Sequence, residues 1–95
     1  WGIIGQANGY SWDIDVWMYE SEGKWISSPF RVDGEFKIRY NAGWDVNRGG
    51  SFAALGTAFD VTAGGSNIAI PDMVGKYVKL VYDPATEQIT ITEFK

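Results

Sequence analysis

The sequence predicts an all-β fold, an antiparallel β-sandwich of about seven to eight short strands, and three observations lead to it. Nowhere do apolar residues recur at i, i+3, i+4 and i+7 over a stretch of about ten residues, so no amphipathic helix is written into the chain. Short runs rich in β-branched and aromatic residues recur instead, separated by Gly, Pro, Asn and Asp. In the clearest run, Phe36 to Tyr40, apolar and charged residues alternate strictly, which places Phe36, Ile38 and Tyr40 on a core face and Lys37 and Arg39 on the opposite one.

Taken in order, Ile3-Ile4 opens a strand that Gly5-Gln6-Ala7-Asn8-Gly9 breaks, since Gly and Asn tolerate positive φ. Val16-Trp17-Met18-Tyr19 alternates again, with Val16 and Met18 inward and Trp17 and Tyr19 outward. Glu20 to Lys24 is a polar turn with Gly23 placed for a hairpin bulge, and Trp25-Ile26-Ser27-Ser28 resumes the sheet with Trp25 in the core. Pro29 limits that strand because it has no N–H to donate. Phe30-Arg31-Val32 then reads as a connection or an edge segment, and Asp33-Gly34 as a turn. After Tyr40, Asn41-Ala42-Gly43 turns the chain into a short segment carrying Trp44, Asn47 and Arg48. Ser51 to Thr57 fits neither period and reads as loop, while Ser66 to Ile70 reads as a strand with Ile68 and Ile70 inward, ended by Pro71. Tyr77 to Tyr82 and Ile89 to Thr92 form the clearest hairpin, joined across Asp83-Pro84 and the residues up to Gln88.

A chain of 95 residues with no internal repeat, low-complexity tract or charge run makes a single domain, residues 1–95, too short for a catalytic cleft between domains. Trp1-Gly2-Ile3-Ile4-Gly5 reads as a strand already under way. It has neither a basic leader nor an apolar run of about 18 residues for a membrane span, so the domain is expected to be excised from a longer multidomain protein. A formal net charge of −4 would repel a polyanion, which argues against nucleic acid as a partner. Without Cys or His there is no disulfide framework, thiolate site or Ser-His pair. Asp13 and Asp15 alternate, but two carboxylates fall short of the roughly six to eight oxygen ligands of a calcium site, and no metal or other cofactor is expected. Glu20, Glu22, Glu35 and Asp45 include no pair that the sequence sets across a groove, so glycoside hydrolysis, and enzyme activity in general, is not expected.

Aromatic residues make up 16% of the chain, more than a core of this size readily hides. Trp44 stands among the polar residues Asp45, Asn47 and Arg48, close to the cations Lys37 and Arg39. A flat aromatic flanked by amide and cationic donors suits a sugar, whose C–H faces stack on the ring while its hydroxyls need partners. Each candidate has a plainer reading. Trp44 and Trp12 could cap the core, Lys37 and Arg39 could be solvated edge charges, and Trp17 could be an exposed aromatic without function.

The chain resembles the repeated starch-binding modules of SusE/SusF-type outer-membrane lipoproteins, the surface glycan-binding proteins of bacterial starch-utilisation systems. The likeness begins with Gly2-Ile3-Ile4-Gly5-Gln6-Ala7, passes through Trp12-Asp13, Met18 and Gly23-Lys24-Trp25, and is densest from Gly34 to Gly50, where Gly-Glu-Phe-Lys-Ile-Arg precedes Asn41 and Trp44-Asp45-Val46-Asn47. It continues through Leu55 and Asn67-Ile68 to Gly75-Lys76-Tyr77. Arg48 stands where the family often has Tyr, and Asn8-Gly9-Tyr10-Ser11 where it has a Pro-containing loop. The resemblance implies an immunoglobulin-like, starch-binding-module-like sandwich that binds α-glucan without catalysis. It implies Trp44 as platform, Trp12 as second wall, and Lys37, Arg39 and Asn47 as polar partners. It also implies a place at the cell surface, in a lipid-anchored outer-membrane protein working beside other glycan-uptake components.

The alternatives are a structural spacer, which would bury Trp12 and Trp44, and a protein-docking domain using Trp17 and Tyr19. A neutral ligand and the absence of His predict binding that is flat between about pH 5.5 and 8 and unaffected by salt. Titrating oligosaccharide with and without about 0.5 M NaCl checks this, and loss of binding in salt would indicate a charged glycan on Lys37, Arg39 and Arg48.

Overall fold

The longest extended segment is Phe30–Arg39, and its length lets one strand serve two layers. In the computed structural model, which describes residues 1–95, it is β5 of ten strands. Before it come β1 (Gly2–Ala7), β2 (Tyr10–Ser11), β3 (Val16–Ser21) and β4 (Lys24–Ser27); after it come β6 (Asn47–Gly49), β7 (Phe59–Asp60), β8 (Thr62–Ala63), β9 (Tyr77–Asp83) and β10 (Gln88–Glu93). Pro71–Met73 forms one turn of 3₁₀ helix, and no helix is long and apolar enough to cross a membrane.

Phe30 and Arg31 pair with β9, whereas Val32 to Arg39 run along β1. The expected turn at Asp33-Gly34 is therefore extended chain inside β5. The Asp33 side chain is held there by one near and one distant partner: its carboxylate accepts from Arg31 at 2.7 Å and, across 24 positions, from the Gly9 N–H at 2.6 Å. The Gln6 side chain occupies the space that a Gly34 side chain would need, and its Oε1 accepts the Glu35 N–H at 3.2 Å.

The all-β class holds. The ladder, however, closes in the order β1, β3, β4, β9, β5 and back to β1, giving a five-stranded barrel with further strands attached in place of two separate sheets. Beyond β9 lie β10 and β7, and beyond β5 lie β6 and β8. The last two edges are covered by one segment the sequence reading did not assign, Phe59 to Ala63. Its first half pairs with β10 and its second with β6, while the buried Val61 between them donates its N–H to the Glu87 carbonyl at 3.0 Å. Unpaired strand edges invite association with other chains, and this short kinked segment shortens the open edge at both ends of the ladder.

The Tyr77–Asp83 and Gln88–Glu93 hairpin forms as expected, with Asp83 Oδ1 accepting the Ala85 N–H at 3.0 Å. Between β3 and β4 the turn is tighter than the expected bulge: Glu22 (φ 54) and Gly23 (φ 81) make a two-residue connection between the paired Ser21 and Lys24. Ile68 and Ile70 are buried as expected, yet Ser66 to Ile70 is no strand. Only Ile68 bridges to Phe36, because alternation sets which side faces the core without supplying a partner edge. Ile3, Phe30, Phe36, Ile38, Leu80 and Ile89 form the centre of the core, Met18 joins it, and Val16 and Trp25 pack against it half-buried. Tyr40, expected in that core, lies past the end of β5 and is half exposed, edge-on to Trp1 at 5.8 Å.

Close backbone approach, and no unusual dihedral, requires glycine at 49. A Cβ on Gly49 would collide with the carbonyl oxygens of Ser66 and Gly65, whereas one on Gly43 would come no nearer than 3.9 Å to its neighbours. Gly49→Ala should therefore destabilise the chain by about 1–3 kcal/mol in urea unfolding, while Gly43→Ala should stay within about 0.5 kcal/mol of the parent.

Candidate functional site

The antiparallel pairing of β1 with β5 sets Gly2 opposite Arg39 and Ile4 opposite Lys37. Period two then directs Ile3, Phe36 and Ile38 into the core and Gly2, Ile4, Lys37 and Arg39 to the outer face. Ile4 is completely buried although it lies outside the core cluster, so this outer face carries a cover of its own. Two loops supply it. Trp12 is anchored over β1 by its N–H, which donates to the Gly5 carbonyl at 3.1 Å. Trp44 lies on Arg39, with the guanidinium carbon 4.9 Å from the ring centroid.

The backbone that delivers each Trp is locally unfavourable. Trp12 has φ 62, left-handed for a bulky side chain. Asn41 (φ 59) and Ala42 (φ 55) turn the chain ahead of Trp44 with both central residues at positive φ, closed by the Gly43 N–H on the Tyr40 carbonyl at 3.3 Å. Asn tolerates that conformation and Ala does not, and outliers of this kind concentrate where a ligand site needs a fixed geometry. The rings end 6.2 Å apart with their planes inclined by 31°. Trp44 is half exposed and Trp12 half-buried.

Arg39 is almost buried and grips Asp15 through two parallel bonds, Nε to Oδ2 at 2.8 Å and Nη2 to Oδ1 at 2.6 Å. That carboxylate keeps the guanidinium protonated against the pull of burial. The expectation that Arg39 reaches along a sugar rim changes accordingly: two of its three nitrogens serve Asp15, and its plane supports Trp44 from behind.

Lys37 is equally buried, at 9% exposure, but has no anion and no hydrogen-bond partner within the chain. Burial pushes its ammonium below the ordinary lysine range. The reading of Lys37 and Arg39 as solvated edge charges is thus overturned, because loops that alternation cannot register cover this side of the strand. Asn47, opposite Arg39 on β6, donates Nδ2 to the Trp44 carbonyl at 2.9 Å, while its Oδ1 is buried without a partner. One unused cationic donor and one unused acceptor therefore sit on the face that carries the two indoles.

Arg48, expected beside Trp44, is opposite Ile38 and points to the core side. It lies 5.5 Å over the Trp1 ring and donates Nη1 to the Asn47 carbonyl at 2.9 Å. Trp17 is the most exposed of the large apolar side chains, on β3 across Gly2. Sequence reasoning missed Asp15 as the partner of Arg39, and at a separation of 24 positions no spacing could reveal it. Asp13 instead accepts the Ser11 N–H at 3.0 Å within its own turn. The largest cavity, about 430 Å³ and lined by Phe52, Leu55, Ile70 and Met73 among others, contains none of the candidate residues. No family model, curated protein or solved structure matches the chain.

Asp15→Asn should lower stability by about 3–5 kcal/mol, since it strands a buried guanidinium, and should shift Trp emission as Trp44 loses its support. Asp13→Asn keeps an acceptor for Ser11 and should stay within about 0.5 kcal/mol. Thermal melts followed by fluorescence read both effects.

Proposed function

We propose that the chain is a non-catalytic carbohydrate-binding module that holds a starch-like α-glucan on Trp44 and Trp12. Lys37 carries the reading. Shielding an ammonium from water without a counter-charge is unfavourable, and on the face that also carries the two indoles this donor is left available to a ligand. Sugar hydroxyls accept from it while a ring stacks on Trp44. A pure spacer has no use for a half-exposed Trp44 resting on a buried cation. Two inclined rings suit the curve of an α-1,4-glucan better than the flat face of cellulose.

The resemblance to starch-binding modules supports the same assignment. Under it, the chain is one unit of a lipid-anchored outer-membrane protein at the cell surface, cooperating with glycan-uptake partners.

Retardation of the chain in gels containing amylopectin, pullulan, dextran or hydroxyethyl cellulose tests the proposal, with retardation expected in amylopectin. Maltoheptaose should perturb Trp fluorescence and cellohexaose should not; equal titration by both would remove the α-glucan assignment. Trp44→Ala should abolish binding while destabilising by less than the roughly 3–5 kcal/mol of a fully buried Trp.

Lys37 gives a prediction with opposite signs. Its folded pKa lies below the ordinary 10.5, so the folded state holds the proton less tightly than the unfolded one. Stability therefore rises with pH across the window between those two values, and the penalty is fully present at neutral pH. Lys37→Met removes it and should raise Tm, each 1 kcal/mol being worth about 4–8 °C at this size, while weakening glycan binding about tenfold. A variant that becomes more stable and binds as tightly as the parent would show that Lys37 does not touch the ligand.

A further inference from the structure

We infer that the binding face continues from Trp44 past Arg39 and Gly2 to Trp17, so that the glycan lies as a chain across β5, β1 and β3; this rests on the glycan reading above and adds the length and direction of the ligand. Gly2 pairs with Arg39 on one side and with Trp17 on the other, which puts the three residues in one row on the outer face. Two strand spacings separate the ends of that row by roughly 10 Å. The row is high at both ends, where Trp44 rises over Arg39 and Trp17 stands 59% exposed. It is low in the middle.

Gly2 contributes no side chain there, and the Asp15 Cβ lies 3.2 Å from where a Cβ of Gly2 would stand. The floor between the two indoles is thus the Asp15–Arg39 ion pair, with side chains 6% and 11% exposed. Arg39 Nη1 remains free to donate, and the carboxylate retains lone pairs beyond those used by Arg39.

An apolar plate, a polar trough and a second apolar plate match a sugar chain. Ring faces rest on Trp44 and Trp17, and the hydroxyls between them meet the ion pair. The partner-docking alternative for Trp17 and Tyr19 is disfavoured by the same trough, because a protein hot spot joins its aromatics in one dehydrated patch and this pair of charges interrupts it. The Trp17 side chain makes no aromatic pair and no hydrogen bond within the fold, and its exposure means that it can be removed without opening the core.

The test is calorimetric titration of the parent, Trp17→Ala and Trp44→Ala with maltotriose and maltoheptaose. In the parent, maltoheptaose should bind about tenfold more tightly than maltotriose. Trp17→Ala should lose that gain while keeping the maltotriose affinity and the Tm. A Trp17→Ala chain that binds maltoheptaose like the parent, or that weakens for both sugars equally, overturns the extension while leaving the Trp44 site intact. Failure of the underlying reading looks different: Trp44→Ala would then bind like the parent, or the parent would bind neither sugar.

Discussion

Arg39 is a cation with almost no access to water, and the outer face of β1 and β5 is arranged around what that requires. A buried guanidinium is tolerated only where its charge and its donors are answered together. Asp15 answers the charge in bidentate geometry, and the Trp44 ring covers the flat face that Asp15 leaves open. Gly2 is small because the Asp15 side chain must lie across it. The loop bearing Trp44 must also turn through two left-handed residues to bring the ring back over the strand. The orientation of the platform is thus a consequence of satisfying one ion pair.

Lys37, two residues earlier on the same face, shows what the same burial does without an answer. Its ammonium is shielded in part from water and has no anion or hydrogen-bond partner within the chain, so burial pushes its pKa down with nothing to offset it. The contrast between the two cations separates a residue whose charge is answered within the fold from one whose charge is not. Residue type alone would have given them the same role, since both are basic, both lie on one strand and both are nine-tenths buried.

Closure of the ladder serves the same surface. β5 can hold Arg39 and Lys37 rigidly because it is paired along its length, to β9 at its start, to β1 along its outer half and to β6 at its end. The kinked Phe59–Ala63 segment shortens the remaining open edges, and the glycines at 49, 50 and 65 let those backbones approach closely.

By itself the sequence determined the all-β class, the inward and outward faces of β3 and of Phe36 to Arg39, the closing hairpin, and the outward side of Trp17. These follow from period-two alternation and from turn residues, both of which act within a few positions of the chain. Phe36 and Ile38 are inward and Lys37 and Arg39 outward as the pattern requires. Only the tertiary structure decided that outward meant buried, because the cover comes from loops whose docking depends on contacts far apart in sequence. The pairing of Asp15 with Arg39 spans 24 positions, the tie between Gly9 and Asp33 that straightens β5 spans 24 as well, and the closure through β9 joins residues further apart still. Local pattern sets the side of the sheet on which a residue stands; what lies above it depends on where the rest of the chain comes to rest.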